Sequence, residues 1–186
     1  MEIIYLKKEE NYKEYLRLLQ DDNYTDVILD EESGGVSAVH KQHKFAKQKG
    51  VNGMSQGDYE RVVVEVMRKN GYRIVLGAEV NIPGSKSFDG FLDDVPMEIK
   101  TIEGLGVWSV CTKLCQAERQ KAQIIVLFFP KEELYSLFRI REGVRLFLSG
   151  MNDDRQMHLA RIMIVVQDRM VADLNKKATP IEGWSF

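Results

Sequence analysis

The run Ile124-Ile125-Val126-Leu127-Phe128-Phe129 constrains the fold most. A strand of six apolar residues has no polar face, so it must be covered on both sides. A second run at 160–166 reads the same way, and the helical pattern over 131–148 lies between them. Strand, helix and strand in that order predict an α/β architecture with helices packed on a sheet.

The remaining elements fit around that frame. Tyr12, Tyr15, Leu16 and Leu19 recur at helical spacing and predict a helix over 8–20. A short strand is expected at Tyr24–Leu29, and Ser33-Gly34-Gly35 breaks the chain. Residues 36–57 read mostly as a polar, basic loop. Tyr59, Val62, Val63, Val66 and Met67 form the stripe of a helix that Asn70-Gly71 stops. A strand follows over 72–80, then a turn at Ile82-Pro83-Gly84-Ser85-Lys86. A hairpin of 87–92 and 95–102 turns at Asp93-Asp94. Further elements are a helix at 107–121, the apolar strand at 123–129, the helix at 131–148, the strand at 160–166 and a short helix to about Leu174. From residue 58 the order is α-β-β-β-α-β-α-β, a mixed central β-sheet flanked by helices. Residues 1–56 read as an N-terminal helix and basic loop extension, 57–175 as the core, and 176–186 as a loose tail that Trp184 and Phe186 dock.

Composition narrows the class. With 44% hydrophobic and 29% charged residues among 186, the chain is an ordinary single globular domain. It lacks the long apolar run of a membrane helix, and Met1-Glu2-Ile3-Ile4-Tyr5 does not open a signal peptide. The expected location is the cytoplasm, either of the producing cell or of a target cell into which the domain is delivered, with no membrane partner. Cys111 and Cys115 are four apart on one helix face, where disulfide geometry is poor, and read as reduced fillers. The net charge of -2 does not announce a nucleic-acid binder, but the charge is segregated. Asp21–Glu32 holds six acids and no base, whereas His40–Lys49 holds four lysines, two histidines and no acid. The latter is long enough to touch a phosphate backbone, and a solvated loop would look the same. There is no phosphate-binding glycine loop, nucleophile elbow or zinc spacing, and the aromatic residues form no evident base-stacking platform.

The hairpin carries the chemistry. Alternation puts Glu98 and Lys100 on one face of its second strand and the apolar Met97 and Ile99 on the other. The turn brings Asp89 alongside. Two carboxylates and a backbone carbonyl such as that of Ile99 make a hard oxygen site for Mg²⁺ or Mn²⁺, and a lysine beside it can orient water or stabilise a phosphorane-like transition state. A Glu/Lys pair on a solvent-facing strand would show the same alternation. On the preceding helix Glu60 lies at the edge of the apolar stripe and can lean toward Asp89 and Glu98, although a first-turn glutamate also suits the helix dipole. Glu65 lies further round and faces water.

Glu60, Asp89 and Glu98-Ile99-Lys100, in that order and on those elements, resemble the PD-(D/E)XK nuclease superfamily over about 57–130. Phe88 stands where that motif often has proline. Ser33-Gly34-Gly35, Val39-His40, His43, Glu98-Ile99-Lys100-Thr101-Ile102 and Ala117 through Gln120 to Ala122 are similar to toxin domains of contact-dependent growth inhibition proteins. They are also similar to C-terminal domains of phage head-morphogenesis proteins. The resemblance implies a restriction-endonuclease-like core with a four-stranded central sheet and metal held by Asp89, Glu98 and the Ile99 carbonyl. It further implies that Lys100 and Glu60 are catalytic, that the helical Gln120 contacts the site, and that a toxin would have an immunity protein as partner.

The expected function is therefore metal-dependent hydrolysis of phosphodiester bonds in tRNA, other RNA or DNA. Two alternatives stand beside it. One is a metal-independent RNase in which His40 and His43 act as acid and base, with His40 ranked first because it lies in the family-like stretch. The other is a non-catalytic nucleic-acid or protein binding module of a phage or mobile element. His158 reads as structural. Lys41, Lys44, Lys47 and Lys49 are substrate-contact candidates by charge alone.

Overall fold

All strands of the described residues lie in one eight-stranded sheet whose order follows the chain. The computed structural model describes residues 2–78, 88–150 and 159–175. Its elements are α1 (Glu2–Gln20), β1 (Tyr24–Leu29), β2 (Val36–His40), α2 (Gln56–Lys69), β3 (Arg73–Leu76), β4 (Gly90–Leu92) and β5 (Val95–Thr101). They continue with α3 (Val107–Arg119), β6 (Ile124–Phe129), a 3-10 turn at Glu132–Leu134, α4 (Leu137–Ser149), β7 (Arg161–Val166) and β8 (Arg169–Asn175). The fold is α/β, a mixed sheet flanked by helices, as the apolar strands require.

Parallel neighbours cannot be joined by a hairpin, and the parallel pairs β2/β3, β5/β6 and β6/β7 are bridged by α2, α3 and α4. β6 is buried along its whole length. Its even residues, Ile124, Val126 and Phe128, pack with Tyr59, Val63 and Met67 of α2. Its odd residues, Ile125, Leu127 and Phe129, pack with Val110, Leu114, Ile140 and Phe147 of α3 and α4. α1 seals a smaller core through Leu18 against Val36 and Ala38 of β2.

Several elements differ from expectation. The stretch read as loop over 36–57 opens with β2, whose residues from Val36 to Val39 are all buried and so show no alternation. The helix expected before Leu174 is instead β8. The chain reverses at Gln167, which has a φ of 53°, and returns antiparallel to β7. The helix at 131–148 is split, with Ser136 capping α4 at its true start. The sheet has eight strands, not the four implied by the resemblance, because β1 and β2 extend it on one side and β7 and β8 on the other. Val80, the turn at 82–86, the strand start at Ser87, His158 and the tail at 176–186 lie outside the described residues.

Candidate active site

A two-residue turn sets the register of the site. Asp93 and Asp94 both have positive φ, 48° and 65°, the backbone that joins right-twisted antiparallel strands tightly. Leu92 therefore faces Val95 and Gly90 faces Met97. The Arg73 N–H fixes the turn by donating to Asp93 Oδ1 at 2.9 Å. Asp89, one residue before β4, falls beside Glu98. Its own N–H donates to Glu98 Oε2 at 2.9 Å, and its Oδ2 accepts the Ile99 N–H at 2.7 Å.

Glu98 is 1% exposed, in a strand whose neighbours are apolar. It shares a sheet face with Ile102 and with its register partner Ile125, beneath α3. The Lys100 ammonium donates to its Oε1, and the Gln120 side chain, at the C-cap of α3, adds a hydrogen bond. Burial raises the Glu98 pKa, and Lys100, the Asp89 N–H and Gln120 only partly offset it. Asp89 is pushed up to about 7 by burial and then by the Glu98 charge, with Glu60 adding to the rise and the Ile99 N–H and Lys100 opposing it. The two carboxylates are thus crowded together, and neither holds its negative charge easily.

Glu60 comes from α2, whose start is fixed by a capping box between Ser55 and Asp58. Its Oε2 lies 2.9 Å from His43 Nε2, and its charge is felt at Asp89. His43 Nδ1 lies 3.0 Å from the Gly77 carbonyl. A carbonyl only accepts, so Nδ1 carries a hydrogen, and Nε2 bonds the Glu60 carboxylate well when it too is protonated. Burial opposes that charge, but the Glu60 bond and charge, the Gly77 carbonyl and Asp89 outweigh it, and the His43 pKa is raised. The Gly77 N–H donates to the Asp89 carbonyl at 2.9 Å. A continuous chain of hydrogen bonds therefore runs from Glu60 through His43, Gly77, Asp89 and Glu98 to Lys100.

The structure brings Glu60, Asp89, Glu98, Ile99, Lys100 and Gln120 together. His40 is not among them. It ends β2, its ring packs edge-on against Tyr24 at 5.4 Å, and its Nδ1 accepts the Gln42 N–H. The histidine that reaches the group is His43, three residues on, after the chain has turned off the sheet. Its signal in the sequence was the spacing from His40, which does not say which ring points inward.

Among the described residues no three His, Cys, Asp or Glu side chains form a metal cluster. The oxygens available to a cation here are those of Asp89 and Glu98 and the Ile99 carbonyl. That carbonyl leaves β5 on the same edge as the N–H that Asp89 receives. The donor chemistry fits a hard divalent ion, because burial and mutual repulsion leave two carboxylates that such a charge would relieve. Cys111 and Cys115, both on α3, are free thiols. No helix among the described residues is long and apolar enough to cross a membrane.

No protein-family model matches the chain, and no curated protein matches it. Among solved structures it is similar to a chain of the CdiA-CT/CdiI toxin and immunity complex from Burkholderia pseudomallei. The identity is 14%, the match covers 64% of this chain and 83% of that one, and the TM-score is 0.48. At that level the likeness carries no functional argument.

Proposed function

We propose that this chain is a divalent-metal-dependent nuclease of the PD-(D/E)XK type, with Mg²⁺ or Mn²⁺ held by Asp89, Glu98 and the Ile99 carbonyl. The observation that supports it is the buried Asp89–Glu98 carboxylate pair with Lys100 bonded to Glu98 at the open end of a hairpin. A structural ion pair has no need of the second carboxylate, which raises its neighbour's energy.

When bound, the cation would neutralise charge on a phosphodiester and acidify a water. The chain's own groups do the rest. Lys100 favours the ionised form of Glu98 against burial and has further N–H bonds for a phosphate oxygen that gains charge as the bond breaks. Gln120 holds Glu98 from the α3 side. Glu60, paired with His43 at 2.9 Å, presents less negative charge to a phosphate than a lone carboxylate would. A toxin role with an immunity protein belongs to the same reading and rests on the motif resemblance alone.

The two-histidine alternative needs both rings on one phosphate. The His40 ring lies on Tyr24 and the His43 ring is held by Glu60 and Gly77, so no observation favours it. Incubation with total tRNA, mRNA and plasmid DNA, in Mg²⁺ or EDTA, tests the proposal. The expected result is cleavage of at least one substrate in Mg²⁺ only, without 2′,3′-cyclic phosphate ends, since water and not the 2′-hydroxyl is the nucleophile. Cleavage in EDTA with cyclic ends would transfer the activity to a histidine mechanism. Binding with no turnover in any metal would make the chain a binding module.

A further inference from the structure

Between β2 and α2 the chain carries Lys41, Lys44, Lys47 and Lys49, all exposed. None of the four makes an ion pair with a described residue. Unpaired lysines on a wandering loop would mean little, but this loop is fastened along its length. At its start, His43 reaches Glu60 and Gly77 in the site itself. Next, Phe45 packs edge-on to the His43 ring at 4.8 Å and lies under the Arg61 guanidinium at 3.8 Å. The Ala46 and Gln48 carbonyls accept the Gly57 and Gln56 N–H groups at 2.9 and 2.8 Å. Lys49 bridges to Ser55, and the Val51 N–H donates to Glu103 Oε1 at 3.0 Å, just past β5.

Two glycines allow this close approach. A Cβ on Gly57 would stand 2.5 Å from Phe45 Cβ, and one on Gly50 would stand 2.3 Å from Tyr59 Oη. The loop therefore has one seat, across the start of α2 and the end of β5. Its four exposed lysines rise from a backbone that His43 ties to the site through Glu60 and Gly77, with no acid between His40 and Lys49 in the sequence to cancel them.

We infer that Lys41, Lys44, Lys47 and Lys49 form a phosphate track for the backbone of a nucleic acid, which His43 registers against the Asp89–Glu98 pair. The inference rests on the nuclease reading for its substrate, and it adds where the polymer lies and what grips it. Recognition by such a track is independent of base sequence and steeply dependent on salt.

The experiment measures binding of a fluorescein-labelled single-stranded oligonucleotide by fluorescence anisotropy, in EDTA, between about 50 and 200 mM salt. No turnover is needed, so failure here and failure of catalysis are separate results. Wild type is compared with a variant in which all four lysines are changed to Gln, with the same four changed to Arg, and with a control carrying Lys13→Gln and Lys69→Gln. Thermal unfolding checks that each is folded. The expected result is a weakening of at least about tenfold in the four-Gln variant. The slope of log K against log salt should be shallower by about 3, from four phosphate contacts on a single strand. The Arg variant and the control should keep wild-type slopes. A four-Gln variant that folds and binds with the wild-type slope would overturn the inference, and so would a wild type that binds no oligonucleotide.

Discussion

Lys100 and Glu98 form a largely buried ion pair within the proposed site. Their side chains are 15% and 2% exposed. Replacing Lys100 by Met leaves a buried carboxylate without its cation, and the expected cost is about 3 kcal/mol by urea unfolding at neutral pH. Lys100 opposes the rise that burial gives the Glu98 pKa, so in the variant Glu98 protonates more readily and the cost should shrink as pH falls. Asp89 should show the opposite sign of defect. Its folded pKa lies above its unfolded value of 3.8, so the folded state holds the proton more tightly. Stability is then lost as pH rises from about 4 to about 7, and Asp89→Asn, in EDTA, should stabilise the protein at about pH 8 by on the order of 1 kcal/mol. It should do little near pH 4. An Asn variant less stable than wild type at both pH values would contradict the carboxylate repulsion. The alternation of Glu98 and Lys100 against Met97 and Ile99 was legible in the sequence, because a strand has only two faces. The choice between His40 and His43 was not, because it depends on where β2 ends.

At the scale of elements, α2 and the turn at Asp93-Asp94 place the carboxylates. Ser55 accepts the Asp58 N–H at 3.0 Å while Asp58 Oδ2 accepts the Ser55 N–H at 2.9 Å. Ser55→Ala should cost about 1 kcal/mol by thermal or urea unfolding. It should also lower activity, because Glu60 sits in the first turns and the loop carrying His43 is hydrogen-bonded to the same helix end. A variant with unchanged stability would show that the cap is redundant. Helices with a clear stripe and strands with alternation or a long apolar run were readable. β2 and β8 were missed for opposite reasons. In β2 every residue is buried and the run is short, so no period shows. In β8 the exposed and half-buried residues of an edge strand mimic the polarity of a surface helix.

Over the whole molecule, the sheet's two faces explain why the site is where it is. The face under α2 is apolar from Ile74 across to Val165. On the other face the apolar cores under α1 and under α3 with α4 are separate clusters, and Glu98 and Lys100 lie on that face beside the α3 core. A cation that binds these carboxylates only when the chain is folded should stabilise it by mass action. The thermal midpoint of wild type should rise with added Mg²⁺ or Mn²⁺, and that of a Glu98→Gln variant should not. A midpoint indifferent to both metals in wild type would contradict the metal assignment. The most direct measurement is the initial rate of nucleic-acid cleavage in Mg²⁺ by wild type, Asp89→Ala and Lys100→Ala, each verified as folded. The expected result is a loss of roughly 10²-fold or more in both variants. Cleavage by either at the wild-type rate would contradict the assignment of the reaction to this group.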